Sequence, residues 1–120
     1  MLNIEPENYN PRAEAILKRR CRVVNQEMSR NRFLEEIHAY DLLITRLGHT
    51  IDQEVFERGK RLKCVVTATT GLDHIDLEAA ALRGVTVLSL KGETAFLRTV
   101  TATAELTWGL LQAVVRRIPA

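Results

Sequence analysis

Short apolar runs alternate with amphipathic segments along this chain. Five runs of mainly apolar residues predict β-strands, and they cover residues 2–4, 22–24, 42–45, 64–68 and 85–88. Between them, apolar residues recur at intervals of three and four, which predicts helices. This alternation predicts an α/β fold, a parallel sheet with helices on both faces. Five strands favour the flavodoxin-like, doubly wound order.

Residues that favour helix ends stand at several predicted boundaries. Thr50 or Asp52 can cap the third helix, and Thr50 with Gln53 has the spacing of a capping box. Asp76 is placed to cap the fourth helix, and Gly84 to end it. These signals predict where the elements between the central strands begin and stop.

The first and last helices each have a predicted apolar face. The first begins at Pro11 and places Ala13, Ile16 and Leu17 on one side. The last and longest runs from about Thr101 to Arg117, with apolar residues at helical spacing: Ala104, Trp108, Leu111, Val115 and Ile118. The apolar face of this last helix suits either a core or a contact with a partner subunit or a further domain.

Composition narrows the class of protein. The length of 120 residues fits one domain, and the 46% apolar content is that of globular proteins. A net charge of +2, from 17 basic and 15 acidic residues, does not point to nucleic acid or to a membrane. No segment resembles a signal peptide or a membrane span. Cys21 and Cys64 are expected to be buried free thiols, so we predict a cytoplasmic protein with no metal site.

Ligands of open α/β sheets bind beyond the carboxyl ends of the strands. The three turns at that edge are Glu5 to Asn8, Arg46 to His49 and Thr69 to Asp73, and Thr69-Thr70-Gly71 is the best candidate site. Gly71 permits a backbone conformation costly to other residues and the close approach of a ligand, and successive N–H groups can bind a carboxylate. Arg46 could clamp the same carboxylate. The alternatives are a tight strand–helix turn that needs a glycine, and an ordinary surface arginine.

The sequence lacks the residue patterns that phosphate binding and general-base catalysis require. It contains no G-x-G-x-x-G and no G-x-x-x-x-G-K-[ST] phosphate-binding motif. His49 and His74 lie in ligand-side loops, but neither has an orienting acidic partner nearby in sequence. We therefore assign no catalytic residue.

Five segments, in this order and spacing, resemble the first part of the D-isomer-specific 2-hydroxyacid dehydrogenases. The longest is TGLDHIDLEAA, from Thr70 to Ala80, and the full set covers residues 40–46, 62–66, 70–80, 83–87 and 103–111. About two-thirds of the chain carries the resemblance, while residues 1–39 fit the family pattern only loosely. The joint order of these segments is far more specific than any one of them.

The resemblance implies a domain plan. Residues 1–100 would form a flavodoxin-like substrate-binding domain, and residues 101–120 a long C-terminal connecting helix that leads to an absent Rossmann domain. The complete enzyme would use NAD or NADP, and this chain alone is expected to bind neither and to be inactive. The expected partners are a small 2-hydroxy or 2-oxo acid and further copies of the chain in a homo-oligomer.

The resemblance also implies site residues. Thr70 and Gly71 match the turn whose N–H groups hold the substrate carboxylate. Arg46 matches a loop beside the substrate crevice, and Thr103 a position near the nicotinamide. The family's catalytic residues match nothing in these 120 residues.

Two other readings use the same strand order. A non-catalytic binding or dimerisation module would account for the apolar last helix and the missing nucleotide motif. A phosphoacceptor receiver domain needs an aspartate at the end of its third strand, where this chain has Thr45 and Arg46. The sequence therefore disfavours the receiver domain.

Overall fold

The structure, a computed structural model, describes residues 1–7 and 9–117. Asn8 of the first predicted ligand-side turn and Ile118 of the predicted apolar face lie outside the described residues. The strands are β1 Leu2–Asn3, β2 Val24–Asn25, β3 Leu42–Thr45, β4 Cys64–Thr67 and β5 Thr86–Leu88. The helices are α1 Pro11–Lys18, α2 Arg30–Glu36, α3 Gln53–Arg58, α4 Leu77–Leu82, α5 Thr94–Leu97 and α6 Ala102–Arg116, with a 3₁₀ turn over Ile37–Ala39.

All five strands are parallel, and their order is β2-β1-β3-β4-β5. This confirms the predicted α/β sheet and its flavodoxin-like order. In register, Asn3 lies beside Ile44, and Ile44 beside Val66. The long C-terminal helix is also confirmed, as α6.

The two faces of the sheet are covered unequally. On one face, Leu2, Leu43 and Val65 are completely buried, in one hydrophobic cluster with residues of α2, α3 and α4. The other face carries α1, because Glu14 of α1 accepts a hydrogen bond from Asn25, whose side-chain oxygen accepts one from Asn3. The core therefore lies between the sheet and α2–α4.

The structure corrects the predicted start of α3. Asp52 is its N-cap, with the side chain accepting from the N–H of Val55, whereas the capping box of Thr50 and Gln53 does not form. The prediction for α4 was right, since Asp76 accepts from the N–H of Ala79. Gly84 follows α4 with φ 65°, a left-handed conformation that favours glycine.

The apolar faces predicted for the outer helices do not enter the core. No residue of α1 is buried, and Ile16 is exposed. No residue of α6 is buried either, and Trp108 is 63% exposed.

Cys21 and Cys64 are free thiols as expected, although both are half-buried rather than buried. In the described part of the chain, no helix combines the length and apolar character that crossing a membrane requires.

Candidate functional site

The turn after β4 contains two exposed residues whose N–H groups are unpaired among the described residues. Thr70 and Gly71 are exposed, and their N–H groups donate to none of the described residues. The oxygens of the turn are engaged instead: Leu90 N–H donates to the Thr69 carbonyl at 3.1 Å, and the Thr69 hydroxyl to the Gly71 carbonyl at 2.7 Å. Hydrogen bonds thus hold the Thr69 and Gly71 carbonyls in place, while the N–H groups of Thr70 and Gly71 stay available to an anion.

Gly71 does not have the backbone conformation that the sequence led us to expect. Its φ lies outside the left-handed region, which among the described glycines holds only Gly84 and Gly92. A Cβ built on Gly71 would meet only a carboxylate oxygen of Asp73, at 3.5 Å, an ordinary contact. Strain therefore does not require glycine at this position.

An open cleft of ≈ 610 Å³ borders the turn. Thr70, Gly71 and Thr103 all line it, so the structure brings three of the four predicted site residues together. The rest of the wall combines apolar side chains with two ionisable residues, Asp73 and His74; the larger apolar residues are Leu47, Leu90, Phe96, Leu97 and Val100. The hydroxyl of Thr103 makes no hydrogen bond with any residue that the structure describes, which leaves it free for a ligand.

Arg46 lies apart from the other three. It lines a neighbouring cleft, and its Nε is 3.9 Å from Oε2 of Glu5. That nitrogen is buried and has no hydrogen-bond partner among the described residues. The structure therefore directs Arg46 toward Glu5 and not into the cleft beside Thr70.

Glu5 was not predicted as a site residue, yet it organises the loop after β3. Its carboxylate accepts from the Thr45 hydroxyl at 2.8 Å, from Arg46 N–H at 2.8 Å and from Gly48 N–H at 3.1 Å. Burial alone would raise the pKa of Glu5, but these hydrogen bonds and the nearby His49 favour the ionised form, so the pKa is lowered. Only its place at the end of β1 could have marked it in the sequence.

The Glu5 hydrogen bonds fix the residues on either side of Leu47. The Leu47 side chain is 71% exposed and forms part of the wall of the cleft beside Thr70. A Cβ at Gly48 would come within 3.2 Å of Oε2 of Glu5, so the absence of a side chain allows this close approach. Leu47 is a further residue that the sequence did not mark.

Neither ligand-side histidine has the partner that a general base needs. The Nε2 of His74 is 3.5 Å from the Thr67 hydroxyl, at the limit of a hydrogen bond. The ring of His49 packs against Phe33, with centroids 5.6 Å apart. Among residues 1–7 and 9–117, no carboxylate lies within ion-pair distance of either imidazole. The site, as these residues build it, is suited to binding an anion.

Comparison with known proteins assigns the chain to a family. The family described as "D-isomer specific 2-hydroxyacid dehydrogenase, catalytic domain" matches residues 4–116, nearly the whole chain. The chain belongs to the D-isomer-specific 2-hydroxyacid dehydrogenase family. The resemblance deduced from the sequence is thereby confirmed, and an oxidoreductase family is established for the chain.

Individual members of the 2-hydroxyacid dehydrogenase family show the same likeness. The chain is 40% identical over 92 residues to the glyoxylate reductase of Thermococcus onnurineus, covering 77% of this chain and 26% of that protein. The TT0316 protein of Thermus thermophilus has a TM-score of 0.82 at 30% identity, covering 98% of this chain and 37% of its own. The NAD⁺-bound 3-phosphoglycerate dehydrogenase of Entamoeba histolytica has a TM-score of 0.61 at 25% identity. The match covers 73% of this chain and 31% of that protein. The chain thus spans between about a quarter and two-fifths of the length of these three proteins.

Proposed function

We propose that this chain supplies the substrate-carboxylate side of an NAD(P)-dependent 2-hydroxyacid dehydrogenase. The observation that carries the proposal is that the exposed residues Thr70 and Gly71, on the edge of an open cleft, have N–H groups that donate to none of the described residues. Two such donors can hold both oxygens of a carboxylate. The substrate would be a small 2-hydroxy or 2-oxo acid.

The contribution of these residues to the reaction is orientation. A carboxylate held at Thr70 and Gly71 would leave the adjacent 2-carbon in the cleft that Thr103 also lines. Holding a substrate in its reactive geometry removes much of the entropic cost of the reaction. NAD or NADP, when bound, supplies or accepts the hydride.

The residues fit only one end of that cofactor. Thr103 offers a free hydroxyl in the same cleft, which suits the nicotinamide end. No phosphate-binding glycine motif exists in the sequence for the rest of the dinucleotide. We therefore assign residues 1–100 to substrate binding and residues 101–120 to a connecting helix, with the nucleotide held by protein outside these residues.

Arg46 takes a secondary role in this proposal. Its guanidinium lies beside Glu5, so direct contact with a carboxylate at Thr70 requires the side chain to turn. The side chain is 43% exposed although its Nε is buried, so the turn would also expose that nitrogen. The free thiols of Cys21 and Cys64 support a reducing, cytoplasmic setting.

Binding at the turn is tested by titrating the ¹⁵N-labelled chain with glyoxylate and following its backbone amide signals. The signals of Thr70 and Gly71 are expected to shift most, and glycolaldehyde, which lacks the carboxylate, is expected to leave them in place. Gly71→Ala is expected to weaken binding severalfold, because its methyl group stands where the ligand approaches. Gly109→Ala, which adds a methyl group in open space, is the matched control.

Two outcomes of this titration contradict the proposal. One is an equal shift with glycolaldehyde, which would separate binding from the carboxylate. The other is unchanged affinity in Gly71→Ala. In a separate assay, the 120-residue chain is expected to show no oxidation of NADH with glyoxylate, and clear turnover would overturn its assignment as the substrate side alone.

A second candidate function is a non-catalytic dimerisation module. It is favoured by one observation: the large apolar side chains of α6 are each more than half exposed. Large exposed apolar patches mark interfaces. This reading shares with the first the expectation that the chain forms a homo-oligomer, and it differs in expecting no shift of the Thr70 and Gly71 signals with glyoxylate.

A further inference from the structure

Two threonine hydroxyls in series, the hydroxyl chain of Thr67 and Thr69, lead from the interior of the sheet to the turn after β4. Thr67 is the last residue of β4 and is only 2% exposed, and its hydroxyl oxygen lies 3.0 Å from that of Thr69. The Thr69 hydroxyl is in turn 2.7 Å from the carbonyl oxygen of Gly71. At the other end, Nε2 of His74 is 3.5 Å from the Thr67 hydroxyl. The hydroxyl chain therefore connects a buried strand end with the turn proposed to bind a carboxylate.

The last acceptor fixes the direction of the hydroxyl chain. A carbonyl oxygen only accepts, so the Thr69 hydroxyl gives its one proton to Gly71. The Thr69 oxygen is then the acceptor of the Thr67 proton, which leaves the Thr67 oxygen to accept from Nε2 of His74. Hydrogen bonds that run in one direction polarise one another. The buried Thr67 hydroxyl therefore strengthens the bond that Thr69 makes to the turn.

Two hydrogen bonds hold the peptide that carries the Gly71 N–H from both sides. All described peptide bonds are trans, so the C=O of one residue and the N–H of the next lie in one plane and point in opposite directions. The hydrogen bond from Leu90 N–H to the Thr69 carbonyl fixes the plane that carries the Thr70 N–H. The bond from the Thr69 hydroxyl fixes the plane that follows Gly71. The peptide between Thr70 and Gly71 thus has an anchored neighbour on each side.

Gly71 needs such anchoring because little else restricts its backbone. Glycine has the largest conformational freedom of any residue. Around Gly71, the only atom within 4 Å of an added Cβ is Oδ2 of Asp73. A ligand that binds a mobile peptide must supply the free energy of ordering it, which weakens its affinity. The Thr69 hydroxyl removes part of that cost before a ligand arrives.

We propose that Thr69, supported by Thr67, is a positioning residue that sets the N–H groups of Thr70 and Gly71 for an anion before it binds. Thr69 acts through the Gly71 carbonyl, and Thr67 acts through Thr69. The proposal rests on the carboxylate binding stated under Proposed function and deepens it. It adds a hydroxyl-bearing pair of side chains to a site otherwise built from backbone groups.

The first test measures the affinity of Thr69 variants for glyoxylate by the amide titration of the full chain. Thr69→Val keeps the branched shape and removes the hydroxyl, and it is expected to raise the dissociation constant about three- to tenfold. Thr69→Ser keeps the hydroxyl and is expected to stay within about twofold of the unaltered chain. Thr107→Val is the matched control, since it removes a hydroxyl that donates to a backbone carbonyl at 2.8 Å on α6, and it should leave the affinity unchanged.

The second test measures ¹⁵N relaxation of the chain without ligand, which separates positioning from binding. The order parameter of the Gly71 amide is expected to fall in Thr69→Val from near the rigid value of about 0.85 toward about 0.6. Thr69→Ser is expected to keep the higher value, and saturating glyoxylate to restore it in Thr69→Val. Thr67→Val is expected to show a smaller decrease in the same direction. Unchanged amide signals of β4 verify that each variant keeps the fold.

The third test determines which nitrogen of the neutral His74 imidazole carries the proton, from long-range ¹H–¹⁵N spectra. The direction of the hydroxyl chain requires it on Nε2. A proton on Nδ1 alone would make Nε2 an acceptor and turn the Thr67 proton toward His74. That result would overturn the support of Thr69 by Thr67.

The outcomes separate this proposal from the proposed function. Equal order parameters of Gly71 in the unaltered and Thr69→Val chains overturn the positioning role, whatever the affinities are. A weakened affinity that Thr69→Ser shares also overturns it, because serine keeps the hydroxyl. An unaltered chain that does not bind glyoxylate contradicts the proposed function, whereas the relaxation of the free chain still decides whether Thr69 orders the turn.

Discussion

A nearly buried carboxylate at Glu5 ties the end of β1 to the loop after β3. Its side chain is 14% exposed, and three donors from residues 45–48 replace the water it has lost. Ionised carboxylates tolerate such burial when hydrogen bonds compensate them. Glu5 thereby sets the backbone on both sides of Leu47, so a residue outside the cleft shapes its wall.

Glu5→Gln is expected to destabilise the chain by about 1–3 kcal/mol at pH 7, because one amide group cannot accept all three hydrogen bonds. The lowered pKa of Glu5 means that the ionised carboxylate stabilises the fold above the ordinary glutamate pKa. That contribution is lost as the pH falls through the lower, folded-state pKa. Urea unfolding at pH 7 and pH 3 should therefore show a smaller loss of stability on acidification for Glu5→Gln than for the unaltered chain.

Glu35→Gln is the control for this comparison, since Glu35 is an exposed residue of α2. It is expected to retain the pH dependence of the unaltered chain. Equal pH dependence of the Glu5→Gln and unaltered proteins would show that the Glu5 carboxylate does not carry the stabilisation.

At the scale of elements, Asp52 caps the start of α3. The other predicted cap, Thr50, does not. The Asp52 carboxylate accepts from the N–H of Val55 at 3.3 Å, and its two oxygens accept from Nη2 of Arg30 at 2.6 and 2.7 Å. Burial opposes ionisation, but the Arg30 and Val55 hydrogen bonds outweigh it and lower the pKa of Asp52. One residue thus caps α3 and joins it to α2.

Asp52→Ala is expected to reduce the free energy of unfolding by about 1–2 kcal/mol, the usual cost of losing an N-cap. Thr50→Ala should change it by no more than a few tenths, because the part of Thr50 that Arg30 contacts is the backbone carbonyl, which alanine keeps. Urea denaturation of the two variants side by side distinguishes the two caps. An equal loss in both would contradict the assignment of Asp52.

At the scale of the whole molecule, stability is concentrated on one side. The buried apolar residues lie between the sheet and α2–α4, while α6 has no buried residue to hold it in place. Helices without tertiary packing are marginal in water at this length. The long last helix therefore depends on contacts outside the core of its own chain.

Hydrogen exchange at two protein concentrations is expected to reveal this division. The amides of β4 should be strongly protected at both, because the strand is paired on each side. The amides of α6 should exchange quickly in dilute solution and at least several-fold more slowly at high concentration. Concentration-independent protection of α6 would mean that the helix is stabilised within one chain.

The sequence by itself determined the order of the elements, the parallel sheet, the Asp76 cap and the turn after β4, because periodicity and capping depend on neighbours in the chain. The prediction of an unusual backbone conformation at Gly71 was wrong, since a glycine permits many conformations and does not select one. Three features were decided only by the tertiary structure. They are the pairing of Glu5 with a loop 40 residues away, the direction of Arg46, and the meeting of Thr103 with Thr70 in one cleft. Each depends on how parallel strands bring distant loops to the same edge of the sheet, which no local pattern records.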